Sequence, residues 1–403
     1  MTQETRFSKM TALMDAGNAA RKLSSDERIV SVMAINDIAT GRDEDEQQRP
    51  VPRTRTAHLI RSLKRPEEVM LLREVYRPGF FLIGIAADDD LQHTYLTKEL
   101  GLLDEEASIL IARDQDEGAK FGQRTRDTFY LADVFIQRAD DAYKGQLARF
   151  LEIVFGHPFR TPRKEEHAMF MAYASAARSA QLGRQVGAAI TTPEGEVVAV
   201  GMNEVPRSGG GPYWEEENPD FRDHEKKLDS NFQQRDLIVK SVVGKLRENL
   251  MTSENLKLIF KDLHSKLDET ATQEQIDELV SDWIEKVRFR LIDESTVEDL
   301  VHESDLRDIT EYGRAVHGEM DAILTCARLG ISVKGKVLYA TTFPCHNCTR
   351  HIIAAGIERV YYIEPYPKSK ARDLHSDAIC FSDDEVGQNG KIPFLPFIGI
   401  GPL

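Results

Sequence analysis

Two stretches, RAVHGEMDAI (residues 314–323) and TTFPCHNCTRHIIAAG (residues 341–356), place one histidine and two cysteines where one site can collect them. His317 is followed two residues on by Glu319, and Pro344 stands directly before Cys345, with Cys348 one helical turn further. An imidazole and two thiolates suit a tetrahedral Zn²⁺ whose fourth position stays open for water, which is the arrangement of a catalytic and not a structural zinc. The apolar pattern after each motif predicts a helix there. Glu319 then lies on an opening turn, able to reach the open position without joining the ligands, to accept a proton from water and to pass it on. Either half alone is weak, since a lone C-x-x-C is a common structural half-site and a lone H-x-E arises by chance.

Jointly, H-x-E followed by P-C-x-x-C resembles the signature of zinc nucleobase deaminases. The elements around the two motifs agree. A helix over residues 164–183 carries Met169, Ala172, Tyr173, Ala176 and Ala180 along one stripe. Two strands follow, 185–191 and 196–204, joined by the turn Thr192-Pro193-Glu194-Gly195. The His317 helix, a strand over 336–342, the Cys345 helix and a strand over 357–364 complete the series. Helix, hairpin, then metal-bearing helix resembles a cytidine-deaminase-like core, an α/β fold with three α/β/α layers, occupying residues 156–403.

Residues 208–312 interrupt that core. They hold 26 acidic and 14 basic residues, so they supply most of the formal charge of −15. SGGGP opens the insertion as a flexible joint. Segments such as 236–250 and 275–292 read as amphipathic helices that either cover the site or build an oligomer interface. Residues 1–155 form a separate α/β region. Residues 1–40 read as helical, GRDEDEQQRPVPRTR (residues 41–55) as a loop, and 66–76 as a helix with Glu67 and Glu68 favourably placed in its first turn. Phe80 to Ile85 is a continuous apolar run suited to a strand buried on both faces. A helix, the charged stretch Arg113 to Arg126, a strand led by Ala132-Asp133 and another helix follow. This region resembles the later half of P-loop kinases of nucleotides and dephospho-coenzyme A, but no G-x-x-x-x-G-K-[ST] occurs in the chain. The resemblance implies a partial P-loop-kinase-like α/β domain without the phosphate loop; read from the residues alone, the region is an α/β scaffold or regulatory module.

A net charge of −15 argues against general affinity for nucleic acid, whose phosphates are held by concentrated Lys and Arg. No apolar run approaches the roughly 18 residues of a membrane span, and the N-terminus lacks a signal-peptide core. A cytoplasmic protein that binds no membrane is expected. Besides the two proposed ligands only Cys326 and Cys380 remain, too few for a disulfide framework. Cys326 shares the His317 helix and reads as a core residue. His346 and His351 face away from the metal by helical phase.

The stretch RSAQLGRQVGAAITTPEGEVVAVGMNEVP (residues 178–206) resembles deoxycytidylate deaminases, through Arg178-Ser179, Gln185-Val186-Gly187-Ala188 and the turn Gly201-Met202-Asn203-Glu204-Val205-Pro206. That resemblance implies that Asn203 holds the deoxyribose; read locally, a turn asparagine could instead satisfy its own backbone. Gly318 stands where the family more often has alanine. Lys368, Lys370 and Arg372 follow the final core strand, where they either contact a substrate phosphate or form a solvated basic face.

Taken end to end, the chain resembles bacterial anti-phage deoxycytidine nucleotide deaminases. This implies zinc-dependent conversion of dCTP and dCMP to the uracil forms, depletion of dCTP during infection, a homo-oligomer, and an inhibitory RNA or protein partner. The apolar segment PFLPFIGIGPL is expected to continue in a longer protein. Three alternatives stand beside it. A housekeeping dCMP deaminase would share the site. A deaminase of tRNA or single-stranded DNA would call for a basic groove and stacking aromatics. A nucleotide-sensing protein with structural zinc would have no use for Glu319.

Overall fold

The computed structural model describes residues 5–86, 89–137, 142–227, 229–250, 272–274, 277, 312–364, 369–381 and 390–402. Lys368 and nearly all of the helix expected over 275–292 lie outside them. The N-terminal elements are α1 (Arg6–Ser24), α2 (Ile29–Thr40), β1 (Asp43–Glu44), β2 (Pro50–Val51), α3 (Pro66–Tyr76), β3 (Ile83–Ala86), α4 (Asp89–Thr94), α5 (Asp104–Gln115), α6 (Thr125–Phe129), β4 (Val134–Gln137) and α7 (Ala142–Val154). There follow α8 (Lys164–Ala176), β5 (Gly187–Thr191), β6 (Val197–Met202), α9 (Asp223–Lys226), α10 (Ser230–Leu250), α11 (Gly318–Leu329), β7 (Val337–Thr342), α12 (His346–Ala355), β8 (Arg359–Glu364), α13 (Ala371–Leu374), β9 (Ile379–Cys380), β10 (Ile392–Pro396) and β11 (Gly399–Ile400). They divide into one unit of Met1–Ser179, Gln185–Asn203 and His317–Leu403, and a second of Ala180–Arg184 and Glu204–Val316.

In the first unit six strands form a sheet in the order β6-β5-β7-β8-β10-β9. The β5/β6 hairpin and the β5/β7 pair are antiparallel, while β7, β8, β10 and β9 run parallel to one another. Successive strand residues point to opposite faces. Ala188 and Ile190 accordingly join a core with Ala322 and Cys326 of α11 and Ile352 of α12. Ala189 turns the other way, to Ala168, Met169 and Ala172 of α8. Three layers result, as the element order predicts. The contact between α11 and β6 leaves no room for a side chain at Gly201, whose Cβ would run into the Ala322 nitrogen and the Gly318 carbonyl oxygen.

A second, three-stranded sheet has the order β11-β4-β3, with β3 parallel and β11 antiparallel to β4. Phe135 of β4 reaches the α8 core, its ring 5.9 Å from that of Phe397. Beneath it, Arg149 of α7 forms a buried pair with Glu166 of α8 at 2.6 and 2.7 Å, and the Ile400 N–H donates to the same carboxylate at 2.9 Å. Helix α1 packs its Met10 and Met14 on Leu96, Leu102, Ala107 and Leu110. No described helix is long and apolar enough to cross a membrane.

Two local expectations are corrected. The polar stretch after α2 is not a plain loop but a small hairpin, β1 paired with β2. The Asp45 carboxylate organises its turn by accepting the Gln47 and Arg49 N–H groups, each at 2.9 Å. Strand β3 is buried on one face only. Ile83 and Ile85 are 39% and 63% exposed while Gly84 and Ala86 are buried, because β3 is covered from one side.

The second unit is closed at its stem. Within it Glu204 and Val316 exchange backbone hydrogen bonds of 3.1 and 3.0 Å, so the two ends of this stretch are paired. The buried Glu204 carboxylate accepts the Ala180 and Val205 N–H groups at 2.7 and 2.8 Å. Arg314 pairs with Asp223 at 2.7 Å.

Candidate active site

His317 and Cys345 hold equivalent places, each the extended residue directly before a helix, at φ −71°, ψ 157° before α11 and φ −68°, ψ 166° before α12. Cys348 follows in the first turn of α12. Both sulfurs approach the same ring nitrogen, with Cys345 Sγ and Cys348 Sγ each 3.3 Å from His317 Nδ1. All three ligand atoms lie within 4.8 Å of one another. Glu319, in the first turn of α11 and 3% exposed, accepts from the Cys348 thiol at 3.4 Å through Oε2. One nitrogen and two sulfurs converging from two helix starts form the soft, three-cornered donor set that fits zinc, with the carboxylate beside it rather than within it. The three predicted ligands and the predicted proton carrier are thus brought together.

The side chains alone polarise one another. The hydrogen bond to Cys345 lifts the His317 imidazole to about 9 against the opposing effect of burial. Cys345 is drawn down to about 4, chiefly by its hydrogen bond with Cys348 and then by His317, burial opposing. Burial foremost pushes the Cys348 thiol well up. Burial also raises Glu319, with the Cys345 charge adding to it. Both helix starts turn their positive ends toward the cysteines, which favours thiolate.

Around this group the chain is clamped. Asp321, buried and one turn after His317, accepts the Met202 N–H at 3.3 Å and so fixes α11 on β6. Asn203 Oδ1 accepts the Val186 N–H at 2.7 Å, and the Asn203 N–H donates to the Val186 carbonyl at 3.1 Å. The Asn203 side chain thus braces the entry to β5, seventeen residues back in the chain, a contact beyond the backbone of its own turn. Gly318 presses on the same point, since a Cβ there would stand 2.9 Å from the Val186 oxygen.

Ser369 Oγ donates to the carbonyl of Pro344, the residue before Cys345, at 3.0 Å. The exposed Lys370 follows it, and Arg372 lies over the Phe381 ring at 4.1 Å. His351 Nδ1 is bonded to the Asn347 carbonyl at 2.7 Å, and neither it nor His346 joins the ligand group. Sequence reasoning missed Asp321 and Ser369. An acidic residue four positions after a ligand, on the buried stripe of its helix, was the available signal for the first; nothing local marked the second. Asp220, His224 and Glu225 of the second unit also converge. There, however, the Asp220 carboxylate is committed to Arg222, with contacts of 2.6 to 3.1 Å.

The model of the cytidine and deoxycytidylate deaminase zinc-binding region matches residues 162–364. ComE operon protein 2 of Bacillus subtilis is 47% identical over 53 residues, 13% of this chain and 28% of that protein. The deoxycytidylate deaminase of Enterobacteria phage T4 is 42% identical over 55 residues, 14% of this chain and 28% of its own length. The chain thus spans less than a third of either relative. A solved dCMP deaminase of cyanophage S-TIM5, in complex with dCMP and dUMP, aligns with 59% of this chain and 99% of its own, at 16% identity and a TM-score of 0.28. Since the family match runs over half of the chain, from α8 through both metal-site helices to β8, the chain belongs to the cytidine and deoxycytidylate deaminase zinc-binding family.

Proposed function

We propose that this chain is a hydrolase that deaminates deoxycytidine nucleotides, dCMP or dCTP, to the deoxyuridine forms. The observation that carries it is the buried Glu319 carboxylate beside, but outside, a nitrogen and two sulfur donors. A structural zinc has no use for such a group. His317, Cys345 and Cys348 would hold the metal, which when bound acidifies water to a pKa of about 7 and so makes hydroxide available at neutral pH. Glu319 takes one proton from the attacking water and delivers it to N3 of the cytosine as C4 gains a hydroxyl, then takes the proton of that hydroxyl and delivers it to the departing amino nitrogen. The C4–N bond breaks and ammonia leaves, so that water and cytosine become ammonia and uracil. Asn203 would hold the deoxyribose from the turn it braces, and Lys368 and Lys370 the phosphate, supported by the tie of Ser369 to the cysteine loop.

The names of the relatives, deoxycytidylate deaminases among them, favour dCMP as a substrate. Action on dCTP, service in anti-phage defence, homo-oligomer formation, a cytoplasmic location and restraint by an RNA or protein partner rest on the resemblance of the sequence. The test is ammonia release from dCMP, dCTP, CTP and a cytosine-bearing oligonucleotide side by side, with Glu319→Ala as control. Activity confined to deoxynucleotides and lost in the variant is expected. Silence on all four with zinc bound would overturn the assignment.

A further inference from the structure

The segment that opens α13 is tied to the cysteine loop at two points. Ser369 Oγ donates to the Pro344 carbonyl at 3.0 Å, immediately before the ligand Cys345, and accepts the Ala371 N–H at 3.2 Å. Three residues on, the Arg372 guanidinium lies over the Phe381 ring at 4.1 Å, a cation–π contact. That ring stacks at 6.1 Å and 28° on Phe343, two residues before Cys345. Ala371, fully buried between the two ties, seats the segment on the core that Phe343 shares with Ile352 of α12. Lys370 stands on this fixed frame. It is exposed, and among the described residues it has no carboxylate partner. A cation whose backbone is already held loses less freedom on meeting an anion than one on a loose loop. The anionic part of a deoxycytidine nucleotide is its phosphate.

We infer that Ser369 is a positioning residue for that phosphate. By holding its segment on the Pro344 carbonyl it sets Lys370 at a fixed register from Cys345, so that phosphate and base are gripped from one rigid piece and the nucleotide is preferred over the unphosphorylated nucleoside. The inference rests on the deaminase reading and adds the residue that separates nucleotide from nucleoside. Ser369 acts through Lys370 and the cysteine loop and is not itself a catalytic residue.

The probes are the products, dUMP and deoxyuridine, which differ only in the phosphate and do not turn over. Each is bound to the full zinc-loaded chain in equilibrium dialysis, and the parent should hold dUMP the more tightly. Ser369→Ala should weaken dUMP by about three- to tenfold, the effect of one hydrogen bond, and deoxyuridine by less than about twofold, with zinc retained. Ser369→Thr, which keeps the hydroxyl, should recover most of the loss. Lys370→Gln should weaken dUMP by itself, and adding it to Ser369→Ala should cost little more, because the two act through one contact. No preference for dUMP in the parent, equal losses for dUMP and deoxyuridine in Ser369→Ala, or fully additive losses in the double variant would each overturn the inference. Ammonia release from dCMP by the same parent reports on the deaminase reading separately, so release together with any of these outcomes overturns the role of Ser369 alone.

Discussion

At Glu319 one carboxylate separates the two uses of a zinc site. Replacing it with alanine should leave zinc at one per chain by metal analysis while ammonia release falls by about 10²–10⁴-fold, the usual worth of a positioned proton carrier. Cys348→Ala should lose both, because it removes a ligand. Gly318 offers a subtler case. Alanine there would set a Cβ 2.9 Å from the Val186 oxygen, within the clasp made by Asn203, and neither backbone can yield cheaply. A loss of about 1–3 kcal/mol in urea unfolding is expected, as for other overpacked sites. These residues were legible to different degrees. His317, Cys345, Cys348 and Glu319 could be read because metal and proton chemistry admit few residue types and fix their spacing. Asp321 was harder to read, since an aspartate on a helix is ordinarily solvated and its spacing from His317 is only a weak signal until the packing of α11 on β6 turns it inward to the Met202 N–H.

The close contact of helix α11 with strand β6 holds the site together. Gly201 lets them touch, so Gly201→Val should force α11 away and carry His317 with it. Zinc retention during dialysis against a chelator should then drop along with stability, whereas Gly→Ala changes at exposed turns such as Gly209 should leave zinc retention as it is. The order of the core elements α8, β5, β6, α11, β7, α12 and β8 was readable from period and punctuation. Short apolar runs were harder. Phe80 to Ile85 has the composition of a doubly buried strand, yet only one face of β3 is covered, which leaves Ile83 and Ile85 exposed, and what covers a face is a property of the fold rather than of the run itself. The hairpin of β1 and β2 was hidden because its turn is stabilised by one aspartate in a segment otherwise indistinguishable from a charged loop.

Across the first unit as a whole, Arg149, Glu166 and Ile400 bind an N-terminal helix, a core helix and the C-terminal strand into one buried knot. Arg149→Met would strand the Glu166 charge and should cost about 3–5 kcal/mol, read from denaturant unfolding. The knot also predicts an acid dependence. Burial pushes the Glu166 pKa upward, but Arg149 and the Ile400 and Arg163 N–H groups outweigh it and hold the carboxyl below 4.5. Its contribution is therefore complete above the unfolded value of about 4.3 and fades as pH falls through the lower folded value. Glu166→Gln should be less stable at neutral pH and should show a shallower loss of stability on acidification. No sequence pattern announced this knot, because its members are scattered and each is ordinary alone. The pairing of β4 with β11 carries a consequence for biosynthesis. Residues 134–135 leave the ribosome long before residues 399–400, so during translation β4 must wait with one backbone edge bare. The nascent chain is most open to mispairing in that interval, and slowing elongation through the second unit would lengthen the exposure without altering a single native contact.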